Sequence, residues 1–266
     1  HPMPVPGHLK RLLLISIITL FALLSIYIIF MPDIKSLRKE NPAKTRLMEY
    51  REKEWKGRGR EIRLNQIWVP LSQISPYLIK AVLIAEDDKF WSHEGFDYEA
   101  IKKAVEKDIK AKKFKFGGST ISQQLSKNLY LSPSKNPLRK AAEAIITWRI
   151  EKALSKKRIL EIYLNVIEWG EGIFGAEAAS RHYFGKPSSA LTPEEASRLA
   201  AVLPNPRKYN PGSEQRYVIN RSELIYSIMV RRGVVIPEYK EAFENEHSGE
   251  DRPNEQAPDV KGKTTD

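Results

Sequence analysis

Residues 12–31, near the start of the chain, form a run of 20 residues without a charged side chain. A helix of that length rises about 30 Å, which matches the hydrocarbon core of a bilayer. A cleaved signal peptide usually has a shorter apolar core and ends at a small-residue site, whereas this run ends in bulky residues followed by Pro32. The sequence therefore predicts one transmembrane helix that is retained as an anchor. Flanking charges do not decide its orientation, because long domains translocate largely regardless of them.

The remainder of the chain divides by composition. Residues 1–11 form a short flank, and 32–60 are predicted to be a charged connector near the membrane surface. Residues 61–240 are predicted to form one folded domain of ordinary size. Residues 241–266 are mostly polar, with little to bury, and are predicted to be a disordered tail.

Composition excludes several kinds of site. The chain has no cysteine, which rules out disulfides, a thiolate nucleophile, an iron–sulfur cluster and a cysteine zinc site. The formal net charge of +11 suits an anionic partner. No helix-turn-helix, RNA-binding or zinc signature accompanies this charge, so no nucleic-acid partner is predicted.

Helix signals recur through the folded segment and predict a mainly α fold. Ser75 and Pro76 supply an N-cap and a first-turn proline for a helix over 77–86. Within 119–130, apolar residues four apart predict a buried stripe. Thr192-Pro-Glu-Glu195 is a capping box that begins another helix. Further helices are predicted over 138–154, 156–166 and 220–232, and a short extended segment over 62–68.

The first cluster with chemical potential ends the helix over 77–86. Glu86 follows an apolar run, where burial and the negative helix end both disfavour a charged carboxylate. Such a glutamate can serve as a general base. The alternative is a solvated acidic helix end, with His93 as a structural residue.

The second cluster opens the helix over 119–130. Gly117 and Gly118 allow close approach to the backbone, Ser119 and Thr120 supply hydroxyls, and Lys127 adds a cation two turns later. These features are typical of a phosphate site, although the spacing of a Walker motif is absent. A plain glycine hinge with an N-cap explains the same residues and stays open as the alternative.

Two later clusters indicate less on their own. Arg139 and Glu143 stand four residues apart on a predicted helix, where an intrahelical ion pair is the ordinary explanation. The fourth cluster, 156–175, combines an amphipathic helix with glycines and is interpreted as structural.

In their order and spacing, the four clusters resemble the peptidoglycan glycosyltransferases of family 51, which include the transglycosylase module of bifunctional penicillin-binding proteins and its monofunctional relatives. The resemblance covers about 68–211. The motif Glu-Asp-x-x-Phe-x-x-His-x-Gly-x-Asp begins at Glu86, and Gly-Gly-Ser-Thr-Ile-x-Gln-Gln-Leu-x-Lys-Asn begins at Gly117. The third and fourth motifs match at Arg139, Lys140 and Glu143, at 158–165 and at 178–186. One departure is Lys135, which stands where the family usually has arginine and lacks the planar fork that grips phosphate.

The resemblance implies a mainly α, lysozyme-like fold in which a larger lobe and a smaller, membrane-proximal jaw enclose a cleft. It implies that the donor is a growing glycan on a polyprenyl pyrophosphate. The acceptor is lipid II, the lipid-linked disaccharide-pentapeptide. Glu86 would be the general base that takes the proton of the acceptor's 4-hydroxyl as it attacks C1 of the donor sugar with inversion. No cofactor is required for this reaction.

The matched motifs also imply the other site residues. Ser119, Lys127, Lys135 and Arg139 are expected to bind the departing pyrophosphate. Glu143 corresponds to the family's second glutamate and either orders these cations or holds a divalent metal, Mg²⁺ or Mn²⁺. The remaining substrate-binding residues implied by the motifs are Asp87, Phe90, His93, Thr120, Gln123, Gln124, Asn128 and Lys140.

The resemblance and the anchor together predict location and partners. The catalytic domain is expected on the outer, periplasmic face of the cytoplasmic (inner) membrane, where lipid II presents its sugars. Seven lysines against two acidic residues in 101–116 predict contact with anionic lipid or pyrophosphate, a solvated helix face being the alternative. The 55 residues after Pro211 are too few for a transpeptidase domain, so the chain resembles the monofunctional form. Penicillin-binding proteins and division or elongation proteins are candidate partners.

Two other functions fit parts of the sequence. A lysozyme-like muramidase would use a carboxylate in a cleft, but it would attack with water and leave the phosphate-directed residues without a purpose. A non-enzymatic, basic membrane-associated binding protein would account for the net charge but not for the motifs.

Overall fold

The computed structural model describes residues 11–19, 21, 32–99, 101–102, 106, 118–133 and 136–236. Residues 11–19 and 21 are helical. The remainder of the predicted anchor, most of the basic segment 101–116, Lys135 and the predicted tail lie outside the described residues. Within the described ranges, no helix combines the length and apolarity needed to cross a membrane.

The described residues are mainly helical, which confirms the mainly α part of the predicted fold class. The α-helices are α1 (Arg46–Gly57), α2 (Pro76–Glu86), α3 (Ile121–Tyr130), α4 (Pro137–Ala153), α5 (Lys156–Val166), α6 (Ala176–Phe184), α7 (Pro193–Val202) and α8 (Arg216–Arg231). Short 3₁₀ helices occupy Lys35–Arg38, Leu71–Gln73 and Ser188–Ala190.

Three short strands form one small sheet beside the helices. Strand β1 (Asn65–Gln66) pairs in parallel with β3 (Ile173–Phe174), and β3 pairs antiparallel with β2 (Glu168–Gly170). Of the extended segment predicted over 62–68, residues 65–66 form a strand, which lies at the edge of this sheet.

The local helix signals act as predicted at most helix starts. The Ser75 side chain accepts a hydrogen bond from the backbone N–H of Tyr77, and Thr192 and Glu195 form the predicted capping box. The prediction of a helix over 220–232 is wrong at the N-terminal end, because α8 begins at Arg216. Its N-cap, Gln215, makes no side-chain cap hydrogen bond, so no capping signal marks this start in the sequence.

Helix packing brings the ends of α2 and α3 together. The stripe predicted on α3 is confirmed, because Ile121, Leu125 and Leu129 are buried in the main core. Helix α3 packs on α4 and α5, whereas α2 packs on α7 and α8. The C-terminal end of α2 therefore lies where residues of α3 and α8 can reach it.

The segment before α1 is fixed to the helical domain. Ile34 and Leu37 are buried in the main core. Arg158 donates hydrogen bonds to the carbonyls of Leu37 and Glu40, and Arg38 donates to the carbonyl of Ala153. From Ile34 onward, the predicted connector contributes to the packed structure.

Candidate active site

Glu86 is the last residue of α2, and its side chain is 12% exposed. Its Oε2 accepts a 2.9 Å hydrogen bond from Nε2 of Gln124, and its Oε1 lies 3.8 Å from Nη2 of Arg221. Burial raises the pKa of the Glu86 carboxyl, although the Gln124 hydrogen bond and the charges of Arg221 and Lys127 oppose the shift. A mostly buried carboxylate of this kind binds a proton more tightly than a solvated glutamate and is a candidate general base.

Gln124 is held by a second hydrogen bond, from Tyr163 on α5. The hydroxyl of Tyr163 donates to Oε1 of Gln124 over 3.1 Å. Burial raises the pKa of Tyr163 well above its ordinary value of 10, so the hydroxyl stays protonated and available as a donor. Because Oε1 accepts from Tyr163, the amide group of Gln124 is turned toward Glu86.

Asp87 makes its hydrogen bonds within the fold. Its carboxylate lies 2.8 Å from Nε2 of His93 and accepts a 2.9 Å hydrogen bond from the backbone N–H of Ile121. Nδ1 of His93 accepts from the N–H of Gly95, which places the ring proton on Nε2. Asp87 and His93 thus connect the residue after α2 to the first residue of α3.

Three other residues that are predicted to bind substrate also pack within the structure. Phe90 is fully buried in the core. Thr120 caps α3, donates from Oγ1 to the carbonyl of Gly95 and shares a capping box with Gln123. These side chains build the loop and the helix start that surround Glu86.

A cavity of about 580 Å³ opens beside Glu86. Ser119, Lys89 and Arg221 line it together with Glu86 and Gln124. Ser119, expected to bind pyrophosphate, therefore lies in the Glu86 cavity, apart from Lys127 and Arg139.

A second cavity of about 360 Å³ adjoins the first at Gln124, which lines both. Its other polar lining residues are Arg51, Lys127, Asn128, Arg139, Tyr163 and Glu168. Burial lowers the pKa of Lys127, with Glu143 opposing the shift. Three of these residues carry positive charge, so the second cavity is suited to an anion.

Glu143 is buried on α4 and paired with two cations. Its Oε2 accepts a 2.7 Å hydrogen bond from Nη1 of Arg139, and its Oε1 accepts from Nζ of Lys140. Among the residues that the structure describes, no group of three histidine or acidic side chains is placed to hold a metal ion. The structure thus places Glu143 against Arg139, as the four-residue spacing predicts.

The structure brings together some of the predicted site residues and separates others. Glu86, Gln124, Lys127 and Arg139 line the two adjoining cavities, as do Asp87, Ser119, Thr120 and Asn128. Lys140 lies behind them on Glu143. Lys135 falls outside the described residues, so its prediction stays untested.

Sequence reasoning missed residues that only the folded chain brings to the site. Arg221 comes from α8, Arg51 from α1 and Glu168 from β2. Arg51 donates hydrogen bonds from Nε and Nη2 to the Glu168 carboxylate, and both residues line the second cavity. The partners are far apart in the chain, so no local spacing signals them.

The chain is similar to known proteins over most of its length. A family model described as Transglycosylase matches residues 56–230, which is more than half of the chain. A biosynthetic peptidoglycan transglycosylase of Dechloromonas aromatica (strain RCB) is 46% identical over 227 residues, covering 85% of this chain and 97% of that protein. Another of the same name, from Azoarcus sp. (strain BH72), is 51% identical over 195 residues, covering 73% and 84% of the two chains. The chain therefore belongs to the transglycosylase family, as its four motifs predict.

Proposed function

We propose that the chain is a peptidoglycan glycosyltransferase that polymerises lipid II into β-1,4-linked glycan strands and releases polyprenyl pyrophosphate. The observation that carries this proposal is the arrangement of a buried carboxylate, Glu86, beside a cavity lined by cations. The two cavities share Gln124, so a base and an anion site are adjacent.

Glu86 acts as the general base. Burial raises its pKa, which makes this carboxylate a stronger base than a solvated glutamate. The acceptor's 4-hydroxyl transfers its proton to Glu86 as its oxygen forms a bond to C1 of the donor sugar. The bond from C1 to the pyrophosphate oxygen breaks on the opposite face, which inverts the configuration at C1.

Lys127 and Arg139 stabilise the leaving group. The pyrophosphate departs as an anion, so cations and hydrogen-bond donors assist it more than a protonated acid would. Both side chains line the second cavity, and Asn128 adds an amide there. Lys135 is proposed for the same role from its motif position.

Glu143 orders the cations. It is buried and accepts hydrogen bonds from both Arg139 and Lys140, so its charge fixes the position of their head groups. A carboxylate already engaged by two cations serves this role without a metal ion, although a divalent metal at this residue would supply the same positive charge to pyrophosphate.

The substrate requires a membrane location. Lipid II is held in the bilayer, and we propose that residues 12–31 anchor the chain as a single-pass helix with the catalytic domain on the outer, periplasmic face of the inner membrane. A lysozyme-like division into a large lobe and a membrane-proximal jaw is part of the same proposal. The cationic second cavity favours this transferase over a muramidase, whose leaving group needs an acid instead.

Polymerisation of labelled lipid II tests the proposal. The full chain in detergent is incubated with labelled lipid II, and the products are separated with and without a muramidase. We expect muramidase-sensitive polymer from the wild type and from Glu223→Gln, an exposed control on α8, but at least about 100-fold less from Glu86→Gln. Equal polymer from Glu86→Gln would reject Glu86 as the base, and no polymer from the folded wild type would reject the function.

A further inference from the structure

Arg221 reaches the active-site end of α2 from a distant part of the chain. It lies on α8, and its Nη2 donates a 3.3 Å hydrogen bond to the carbonyl of Ala85, which precedes it by 136 residues. The same nitrogen lies 3.8 Å from Oε1 of Glu86. Arg221 also lines the Glu86 cavity, with its side chain 30% exposed.

The contact with Ala85 fixes the guanidinium to the backbone that carries Glu86. The carbonyls of the last helical turn have no partner within the helix, and a cation there offsets the negative end of the helix dipole. Arg221 therefore satisfies one such carbonyl of α2 and places a positive charge beside the carboxylate. The same Nη2 atom makes the hydrogen bond to Ala85 and the 3.8 Å approach to Glu86, so the backbone contact sets where the positive charge stands relative to the carboxylate.

Arg221 holds this position at a cost. Its Nε is buried and has no hydrogen-bond acceptor among the described residues. Buried polar atoms without partners are uncommon in folded proteins, so the position of this guanidinium needs an explanation.

Arg221 differs from Asp87, Lys127 and Tyr163 in its charge or in the cavity that it lines. Asp87 beside Glu86 is acidic, and Lys127 approaches from α3. Tyr163 faces it from α5 with a neutral hydroxyl. Lys127 lines the second cavity, where an anionic ligand would engage its charge, whereas Arg221 lines the Glu86 cavity.

We propose that Arg221 is a positioning residue for Glu86, holding its carboxylate in place and in the anionic form. The inference rests on the proposed role of Glu86 as the base. Without Arg221, the opposing effects of burial, of the helix end and of Asp87 would leave Glu86 protonated to a higher pH, and a protonated Glu86 cannot accept the proton of the acceptor.

Two readouts test this role on the full chain in detergent. The first is the pH profile of kcat/KM for labelled lipid II in the wild type, Arg221→Gln and Arg221→Lys. For Arg221→Gln we expect the acid limb to move to higher pH, so that the loss of kcat/KM at the acid end of the profile is at least about threefold greater than the loss at pH 9. Arg221→Lys keeps the charge without the planar fork, so we expect an intermediate profile.

The second readout follows the Glu86 carboxyl directly and needs no turnover. In protein labelled with ¹³C at the glutamate carboxyl, the Glu86 signal is identified by its loss in Glu86→Gln, and its midpoint is measured by titration. We expect the midpoint to rise in Arg221→Gln and to rise less in Arg221→Lys. This measurement separates a failure of the inference from a failure of the proposed reaction.

Arg231→Gln is the matched control, because it removes the same charge from an exposed position on α8. It lies ten residues further along the helix, about 15 Å away, where salt screens its charge. We expect both readouts to stay at the wild-type values. An unchanged Glu86 midpoint in folded Arg221→Gln, or an equal loss of kcat/KM at every pH, would overturn the inference. Should Arg221→Gln not fold, the same criteria apply to Arg221→Lys.

Discussion

Gln124 donates a 2.9 Å hydrogen bond from Nε2 to Oε2 of Glu86 and thereby joins α3 to the end of α2. The pair stands at the wall between the two cavities, since Gln124 lines both. The side chain that donates to Glu86 therefore also faces the second, cation-lined cavity.

Replacing Gln124 by methionine should lower activity through the lost hydrogen bond to Glu86, and should lower stability through the lost hydrogen bond with Tyr163. Glu86 loses a donor that lowers its pKa, so we expect the acid limb of kcat/KM to move to higher pH and activity at pH 7 to fall about tenfold. The buried hydroxyl of Tyr163 loses its acceptor, which should lower the free energy of unfolding by about 1–3 kcal/mol. Denaturation and pH profiles measure the two effects.

The double variant Gln124→Met with Tyr163→Phe distinguishes these effects. Removing both partners of a buried hydrogen bond costs little when the replacements keep the shape. We therefore expect most of the stability to return while the pH profile stays shifted. Recovery of the profile together with stability would contradict a direct role for the Gln124 hydrogen bond.

Asp87 should matter mainly for stability and for the placement of Glu86. In Asp87→Ala, Nε2 of His93 and the N–H of Ile121 lose their buried acceptor, so we expect a loss of about 2–4 kcal/mol in the free energy of unfolding, with reduced kcat. Asp88→Asn is the control: Asp88 is half-exposed and pairs with Arg232 at the surface, so the expected loss is below about 1 kcal/mol. Equal losses in the two variants would refute the bridging role.

The sequence predicts local features of the fold well, because their causes are local. The caps at Ser75 and Thr192 and the buried stripe on α3 depend on residues within one or two turns. The start of α8 is missed because Gln215 carries no capping signal. Contacts of the connector through Ile34 and Leu37 depend on distant helices and leave no pattern in the sequence.

The candidate site is predictable in composition but not in arrangement. Glu86 and Gln124 are both identified by their motifs, yet their hydrogen bond joins residues 38 apart and depends on how α2 and α3 pack. Motif membership also does not separate residues that face a cavity from those that build its walls. Asp87 and Thr120 belong to the motifs and line the Glu86 cavity, yet their side chains make their hydrogen bonds within the fold.

Glu143 gives a prediction about metal dependence. If it orders Arg139 and Lys140, activity of the full chain should persist after exhaustive treatment with a chelator and should change less than about twofold when Mg²⁺ or Mn²⁺ is restored. Loss with chelator and recovery with either metal would instead assign Glu143 or its neighbours to a metal site. Polymerisation of labelled lipid II measures both conditions.

Glu143→Gln completes that test, because it keeps the shape but removes the charge that holds two cations. We expect a fall in kcat of about 10- to 100-fold, since the donors to the leaving group are no longer fixed. Glu177→Gln is a control that weakens a similar pair with Arg181 on α6, outside the two cavities. A comparable fall in kcat for that variant would indicate a general effect of weakening buried ion pairs.

The ionised Glu86 carboxylate should lower the free energy of unfolding as the pH rises. Its pKa is higher in the folded chain than in the unfolded chain, where a glutamate titrates near about 4.3. The folded state therefore binds the proton more tightly, and the free energy of unfolding falls as the pH rises from about 4.3 through the folded pKa.

Glutamine at position 86 resembles the protonated form of the glutamate and avoids this loss of stability. We expect Glu86→Gln to melt about 2–4 °C above the wild type at pH 7.5, with little difference at pH 4, as measured by thermal denaturation in the same detergent. The exposed Glu223→Gln should show no difference at either pH, and a Glu86→Gln effect of equal size at both values would contradict a buried, destabilised anion.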